Sequence, residues 1–176
     1  MMPEAEIPTL RTEHLTLRGH RADDLAASAE MWCDPAVTRF IGGKPSSNEE
    51  TWGRLLRYRG LWAMLGFGYW LVEDRRSGRF VGEVGFADFK REMEPSIAGT
   101  PEIGWALAPW AHGRGWATEA VRAALFWGDD QLRSSRTVCM IAPENAPSIK
   151  LALKCGYAEF SPAIYKSQPT VLFARG

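Results

Sequence analysis

The chain has 176 residues, and its 21 lysines and arginines are matched by 21 aspartates and glutamates, so its formal net charge is zero. That balance gives no support to a broadly basic nucleic-acid surface, and the length suits one domain with its own core, spanning residues 1–176. Cys33, Cys139 and Cys155 are widely spaced and odd in number. They form neither a zinc pattern nor a disulfide framework, which fits a reducing, cytoplasmic setting.

In chain order, Met1 to Glu6 is acidic and lacks the apolar segment of a secretory signal, and no later apolar run is long enough to cross a bilayer. His14 to Arg18 alternates and predicts a strand. Asp23 and Asp24 open a helix with the stripe Leu25, Ala29, Trp32, ending before Pro35. Gly42 to Pro45 is a loop. Ser46 to Glu50 offers capping chemistry for a second helix, which carries Trp52, Leu55, Leu56 and Trp62. On that helix Arg54, Arg57 and Arg59 read as a solvated basic face, the alternative being contact with a coenzyme or an acidic partner. Tyr69 to Glu73 and Phe80 to Phe89 predict a hairpin around Arg75 to Gly78. Lys90 to Thr100 is a polar loop, and Glu102 to Leu107 the next strand.

A third helix starts near Trp116, with Ala117, Ala120, Val121, Ala124 and Leu125 on one face. Thr137 to Ile141 is another strand. Asn145 or Ala146 caps a fourth helix, with Pro147 in its first turn and Gly156 at its end. Tyr157 to Phe160 and Thr170 to Phe173 predict two last strands. There are no internal repeats, and the alternation of elements is that of an α/β domain.

The strand-to-helix junction Glu102–Ala120 carries the most information. Gly113-Arg114-Gly115 makes a tight turn just before the helix. Such a turn aims several backbone N–H groups at one point, where the positive end of the helix dipole adds to them. Phosphate suits that seat. No Gly-Lys-Ser/Thr follows, so it is not a Walker loop, and Ala117 stands one residue too early for the dinucleotide fingerprint. An ordinary strand-to-helix turn is the remaining alternative.

His112 to Ala117 resembles the pyrophosphate-binding loop of the GCN5-related N-acetyltransferases (GNAT), commonly Gln/Arg-x-x-Gly-x-Gly/Ala, with His112 in the first place. The following Ala117-Thr118-Glu119-Ala120 resembles the ribosomal-protein N-terminal acetyltransferase (RimJ/RimL-type) branch. Asn145 to Tyr157 is similar to the family's Asn-x-x-Ser followed by Lys-x-Gly-Phe. The resemblance implies a mixed, mostly antiparallel sheet of about six or seven strands with about four helices. It also implies a splayed central strand pair, Glu102–Leu107 and Thr137–Ile141.

Acetyl-coenzyme A is then the cosubstrate. Its diphosphate would meet His112, Gly113, Arg114, Gly115, Trp116, Ala117 and Thr118, and its pantetheine would pair with backbone near Trp105 and Leu107. The same resemblance sets Asn145 against the pantetheine arm and Ser148 near its lower end. Read from the residues alone, Asn145 is a helix cap and Ser148 a first-turn polar residue.

An amine with a lysine-like pKa is protonated at neutral pH, so transfer needs a base or a water chain. Glu102 is the first candidate, since partial burial in an apolar strand would raise its pKa. The alternative for it is a half-exposed strand end after Pro101. Glu83 on the neighbouring strand is the second, facing either the cleft or water. Ala152 stands where many relatives carry an acid tyrosine, which leaves Ser148, water or no acid for the thiolate. No Gly-x-Ser-x-Gly elbow is present, His14, His20 and His112 are too scattered for a metal site, and Cys139 reads as a small core residue.

The expected reaction is acetyl transfer from acetyl-coenzyme A to a primary amine by direct attack in a ternary complex. The competing readings are a non-catalytic acyl-coenzyme-A-binding module and a transferase of a longer acyl group. The acceptor is a small amine or a protein N-terminus, with nucleic acid and membrane not expected, and the chain a monomer or homodimer. Trp32, Phe40, Trp52, Tyr69 and Trp70 are candidates for the acceptor wall or the core. Glu92 and Glu94 favour a cationic acceptor if they point inward.

Overall fold

The computed structural model describes residues 6–176, so the acidic opening Met1–Ala5 lies outside the described residues. The strands are β1 (Leu10–Arg11), β2 (Leu15–Arg18), β3 (Tyr69–Asp74), β4 (Phe80–Ala87), β5 (Glu102–Leu107), β6 (Thr137–Ile141), β7 (Ala158–Tyr165) and β8 (Gln168–Arg175). The α-helices are α1 (Leu25–Trp32), α2 (Pro35–Thr38), α3 (Asn48–Leu65), α4 (Trp116–Gln131) and α5 (Ala146–Lys154). All eight strands form one sheet in the order β1-β2-β3-β4-β5-β6-β8-β7. Every neighbouring pair is antiparallel except β5 and β6.

The α/β class and the mixed, mostly antiparallel sheet match expectation. The sheet has one strand more than the upper expectation, and there is one further short helix. That helix, α2, begins at the proline expected only to stop α1. Pro35 occupies the first turn, where its missing N–H costs nothing, and the Asp34 side chain accepts from Ala36 N at 2.8 Å. The last two strands are also longer than predicted. Their turn has Lys166 and Ser167 at φ of 48° and 64°, so residues without a glycine signal make the left-handed hairpin corner. Pro162 lies within β7, at the rim of the sheet, where proline is tolerated.

Helix α3 starts with a reciprocal cap: Glu50 N donates to Ser47 Oγ at 3.1 Å, and Ser47 N donates to Glu50 Oε2 at 2.7 Å. Strand parity then sorts the two faces of the sheet. Trp70, Val84, Phe86, Ile103 and Leu107 join Ala120, Val121 and Ala124 of α4 in the main core. On the other face Met31 and Trp32 pack with Ala106, while Tyr58 and Leu61 pack with Tyr69 and Ala87. Trp62, Trp70 and Trp127 meet edge to face with ring centroids 4.9–5.3 Å apart. Trp62 Nε1 donates to Tyr69 O at 3.0 Å and Trp70 Nε1 to Pro8 O at 2.8 Å, so both buried indoles keep their hydrogen bonds. Among the described residues no helix is long and apolar enough to cross a membrane.

The break in the sheet positions the site. β5 and β6 share a single register pair, Glu102 with Val138, supported by Val138 N donating to Pro101 O at 3.0 Å. Beyond that point the strands part. β5 remains paired along its whole length to β4 on its other side. The expected splayed pair is therefore present.

Trp70 is fully buried at the centre of the indole cluster. Trp70→Ala is expected to lower unfolding free energy by about 3–5 kcal/mol. Urea denaturation followed by circular dichroism checks this, and a shift below 1 kcal/mol would show that the cluster closes over the void.

Candidate active site

A cavity of about 1050 Å³ opens where β5 and β6 separate. On one side it is lined by Ile103 to Ala106, Cys139 to Ala142, Asn145 and Ser148. On the other it reaches Trp32, Phe40, Tyr58, Tyr69, Glu83 and Glu102. The same hollow thus joins the gap between the strands to a chamber beneath α1 and α3.

Glu83 forms the chamber's floor and is fully buried. Three side chains hydrogen-bond to it. Tyr58 OH reaches Oε1 at 3.2 Å, Trp32 Nε1 also donates to Oε1, and His20 Nε2 lies 3.0 Å from Oε2. His20 Nδ1 is buried with no partner. Glu102 is also buried, as its apolar strand suggested, but it is not alone. Arg91 grips it with two parallel hydrogen bonds, Nε to Oε2 at 2.8 Å and Nη2 to Oε1 at 2.9 Å. Accepting a proton at Glu102 would break that pair and leave the Arg91 charge unmatched.

Tyr69 stacks on Tyr58 with centroids 4.3 Å apart and an interplanar angle of 8°. Its hydroxyl crosses β5 directly above Gly104, where a Cβ would sit 2.1 Å from the oxygen. Gly104 is thus glycine because a tyrosine needs the space. Burial raises both phenol pKa values, so each stays a neutral donor across the physiological range. Burial also pushes up the Cys139 thiol, which suits its reading as a core residue.

The glycine turn is open. Gly113 and Gly115 have φ of 74° and 76°, and a Cβ on either would meet nothing within 4 Å. Gly115 is the N-cap of α4, with no side chain capping the helix, so the first-turn amides lack an intrahelical acceptor. Arg114 lies over the rings of Trp110 and Trp116 at 5.6 and 5.1 Å. Trp116 is buried, Ala117 packs against the core, and Thr118 borders a second, shallower hollow beside Gly115. His112 turns back along the strand, its Nε2 2.9 Å from Leu107 O. Leu107 does not line the main cavity, whereas Trp105 does. Asn145 is the cap of α5, accepting from Ser148 N at 3.3 Å, and both residues line the cavity.

Of the aromatic candidates, Trp32, Phe40 and Tyr69 line the chamber, while Trp70 is core and Trp52 lies on the surface. Glu92 and Glu94 are exposed and outside the lining. His20, Tyr58 and Arg91 escaped the sequence reading. Tyr58 and Arg54 share a helical face at i, i+4 spacing, which was the available signal. Among the described residues, no three His, Cys, Asp or Glu side chains are grouped to hold a metal ion.

The sequence profile of the acetyltransferase (GNAT) domain family matches residues 14–158. An uncharacterized N-acetyltransferase, p20 of Bacillus licheniformis, is 29% identical over 144 residues, covering 81% of this chain and 78% of its own. The crystal structure of an acetyltransferase from Agrobacterium tumefaciens superposes with a TM-score of 0.83 at 27% identity, covering 97% of this chain and 95% of that one. The same fold recurs in a ribosomal L7/L12 alpha-N-protein acetyltransferase in complex with coenzyme A (TM-score 0.77, 17% identity, 96% and 97% covered). It recurs again in an aminoglycoside acetyltransferase in complex with coenzyme A (TM-score 0.75, 18% identity, 92% and 94% covered).

The Tyr69 hydroxyl and Gly104 make a test of the site's geometry. Gly104→Ala is expected to cost about 1–3 kcal/mol by overpacking, and Tyr69→Phe in the same chain to restore most of it. A double-mutant cycle by chemical denaturation reads the coupling, and simple additivity would mean the ring moves freely aside.

Proposed function

The chain belongs to the GNAT acetyltransferase family, and on that premise we propose that it transfers the acetyl group of acetyl-coenzyme A to a primary amine held in the chamber under α1 and α3. The observation that carries this reading is the gap between β5 and β6. It leaves backbone groups of one strand edge without a sheet partner, beside an uncapped helix N-terminus whose glycine turn is open. An amide-bearing arm suits the first feature and a diphosphate the second.

Gly113 to Thr118 would hold the diphosphate through backbone amides, with Arg114 nearby as an exposed cation. His112 would act by bracing the end of β5 through Leu107. The backbone around Trp105 and the cap residue Asn145 would flank the pantetheine, and Ser148 lies on the same wall. The thioester would then sit near Gly104, within reach of the Tyr69 hydroxyl as a neutral hydrogen-bond donor to the developing oxyanion. The attacking amine nitrogen forms a bond to the acetyl carbon, the carbon–sulfur bond breaks, and coenzyme A leaves as thiolate. Ser148, which lines the same cavity, or water would give a proton to it.

Glu83 is favoured over Glu102 as the base. Its partners are an indole, a phenol and an imidazole instead of a bound guanidinium. Because Glu83 is fully buried, the amine's proton would reach it through Tyr58 or a water in the chamber. The Ala117–Ala120 likeness to the ribosomal-protein branch does not select the acceptor. Both a ribosomal-protein acetyltransferase and an aminoglycoside acetyltransferase share this fold at similar distance.

Release of free thiol from acetyl-coenzyme A with a panel of amines tests the reaction. Turnover is expected with an acceptor present, and Glu83→Gln should lower kcat roughly 10²- to 10⁴-fold with coenzyme A affinity kept. Coenzyme A binding without turnover on any amine would leave an acyl-coenzyme-A-binding module, and faster turnover of a longer acyl thioester would change the donor. Gly115→Trp should abolish coenzyme A binding in calorimetry, and unimpaired binding would move the phosphate seat elsewhere.

A further inference from the structure

The acceptor side of the cavity is walled by cations. Arg54 and Arg57 from α3, Arg39 after α2, Arg91 from the loop after β4 and Lys166 from the β7–β8 turn all line it. Against them stand Glu83 and Glu102 on the floor, with Glu144 on the opposite, pantetheine side. Glu102 is already matched by Arg91. Among the described residues no carboxylate lies within ion-pair distance of Arg39, Arg54 or Arg57.

These guanidinium groups are held in place by rings. Arg54 lies 3.7 Å from the centroid of Trp32, and its Nε is buried without a hydrogen-bond partner. Arg57 and Arg91 lie 5.3 and 4.8 Å from the centroid of Phe89. A guanidinium stacked on a ring keeps its N–H donors around its edge, where they match the paired oxygens of a carboxylate or phosphate.

We infer that the acceptor is a small primary amine that also carries a carboxylate or phosphate, with the acid received by Arg54 and Arg57. This rests on the acetyl-transfer reading and narrows its substrate. The expectation of a cationic acceptor through Glu92 and Glu94 is not what the chamber offers, since neither lines it. The same positive wall has a second effect. A nearby positive charge disfavours the ammonium form, so the bound amine gives up its proton more readily. A polyamine would meet repulsion in place of an anchor.

Paired acceptors test the inference: an α-amino acid against the amine left when its carboxylate is removed, and an aminoalkyl phosphate against the matching amino alcohol. Thiol release should favour the acid-bearing member of at least one pair by tenfold or more in kcat/KM. Arg57→Gln and Arg54→Gln should each reduce that preference roughly ten- to hundredfold, with KM for acetyl-coenzyme A unchanged. The two pairs tell carboxylate from phosphate. Calorimetry with the N-acetylated acids, set against their neutral amides, reads the anion site without turnover. Binding of an acid that is lost in both arginine variants supports the inference even if no acceptor in the panel reacts. Turnover of the amines that lack an acid at equal or higher efficiency, or no binding of any acid, overturns it and leaves acetyl transfer standing. Absence of thiol release with every amine while the acids still bind would count against acetyl transfer alone.

Discussion

The single point of contact between β5 and β6 is the constraint on which the rest is arranged. A parallel pair normally continues its ladder, since an unpaired backbone polar group is costly once it leaves water. Here the ladder holds only at Glu102 and Val138, and the strands then diverge. The sheet tolerates this because β5 keeps its full pairing to β4 and β6 keeps its own to β8. Each half is braced from outside, and the opening between them is a lasting feature of the fold. The chamber lies beside that opening, and the open glycine turn at the start of α4 follows the far end of β5, to which His112 is hydrogen-bonded.

Two carboxylates face the chamber from neighbouring strands, and their surroundings divide their chemistry. Glu102 belongs to an ion pair that also orders the loop after β4, because the Arg91 guanidinium lies over Phe89 and Tyr165, each 4.8 Å away. Glu83 is held by an indole, a phenol and an imidazole. One side chain ties the wall together through a guanidinium, while the other is held by three ring-bearing side chains. The difference comes entirely from what the helices and the loop bring to the sheet, since both residues lie on well-paired strands.

That is also why the sequence revealed the scaffold better than the site. Local chemistry marked Ser46 to Glu50 as capping residues, Gly113 and Gly115 as a tight turn, and Asn145 or Ala146 as the start of a helix. Each is a short-range signal, and each feature is present. The partners of Glu83 come from 25, 51 and 63 residues away along the chain, and no periodicity links such positions. Arg54 and Arg57 were visible as a basic run, but spacing alone does not say whether a helical face meets water or a cavity. The β7–β8 hairpin was underestimated for a different reason. Prolines within it and a turn without glycine hid strands that hold through pairing across their length.

The hairpin's outer strand, β7, forms the far rim of the sheet, with Phe160 and Ile164 exposed along it. A long, apolar rim is where one molecule can begin to template another. Pro162, midway along, spoils the regular backbone pattern that an incoming segment would have to match. The residue that obscured this strand to pattern reading therefore also serves as its guard against fibrous accretion.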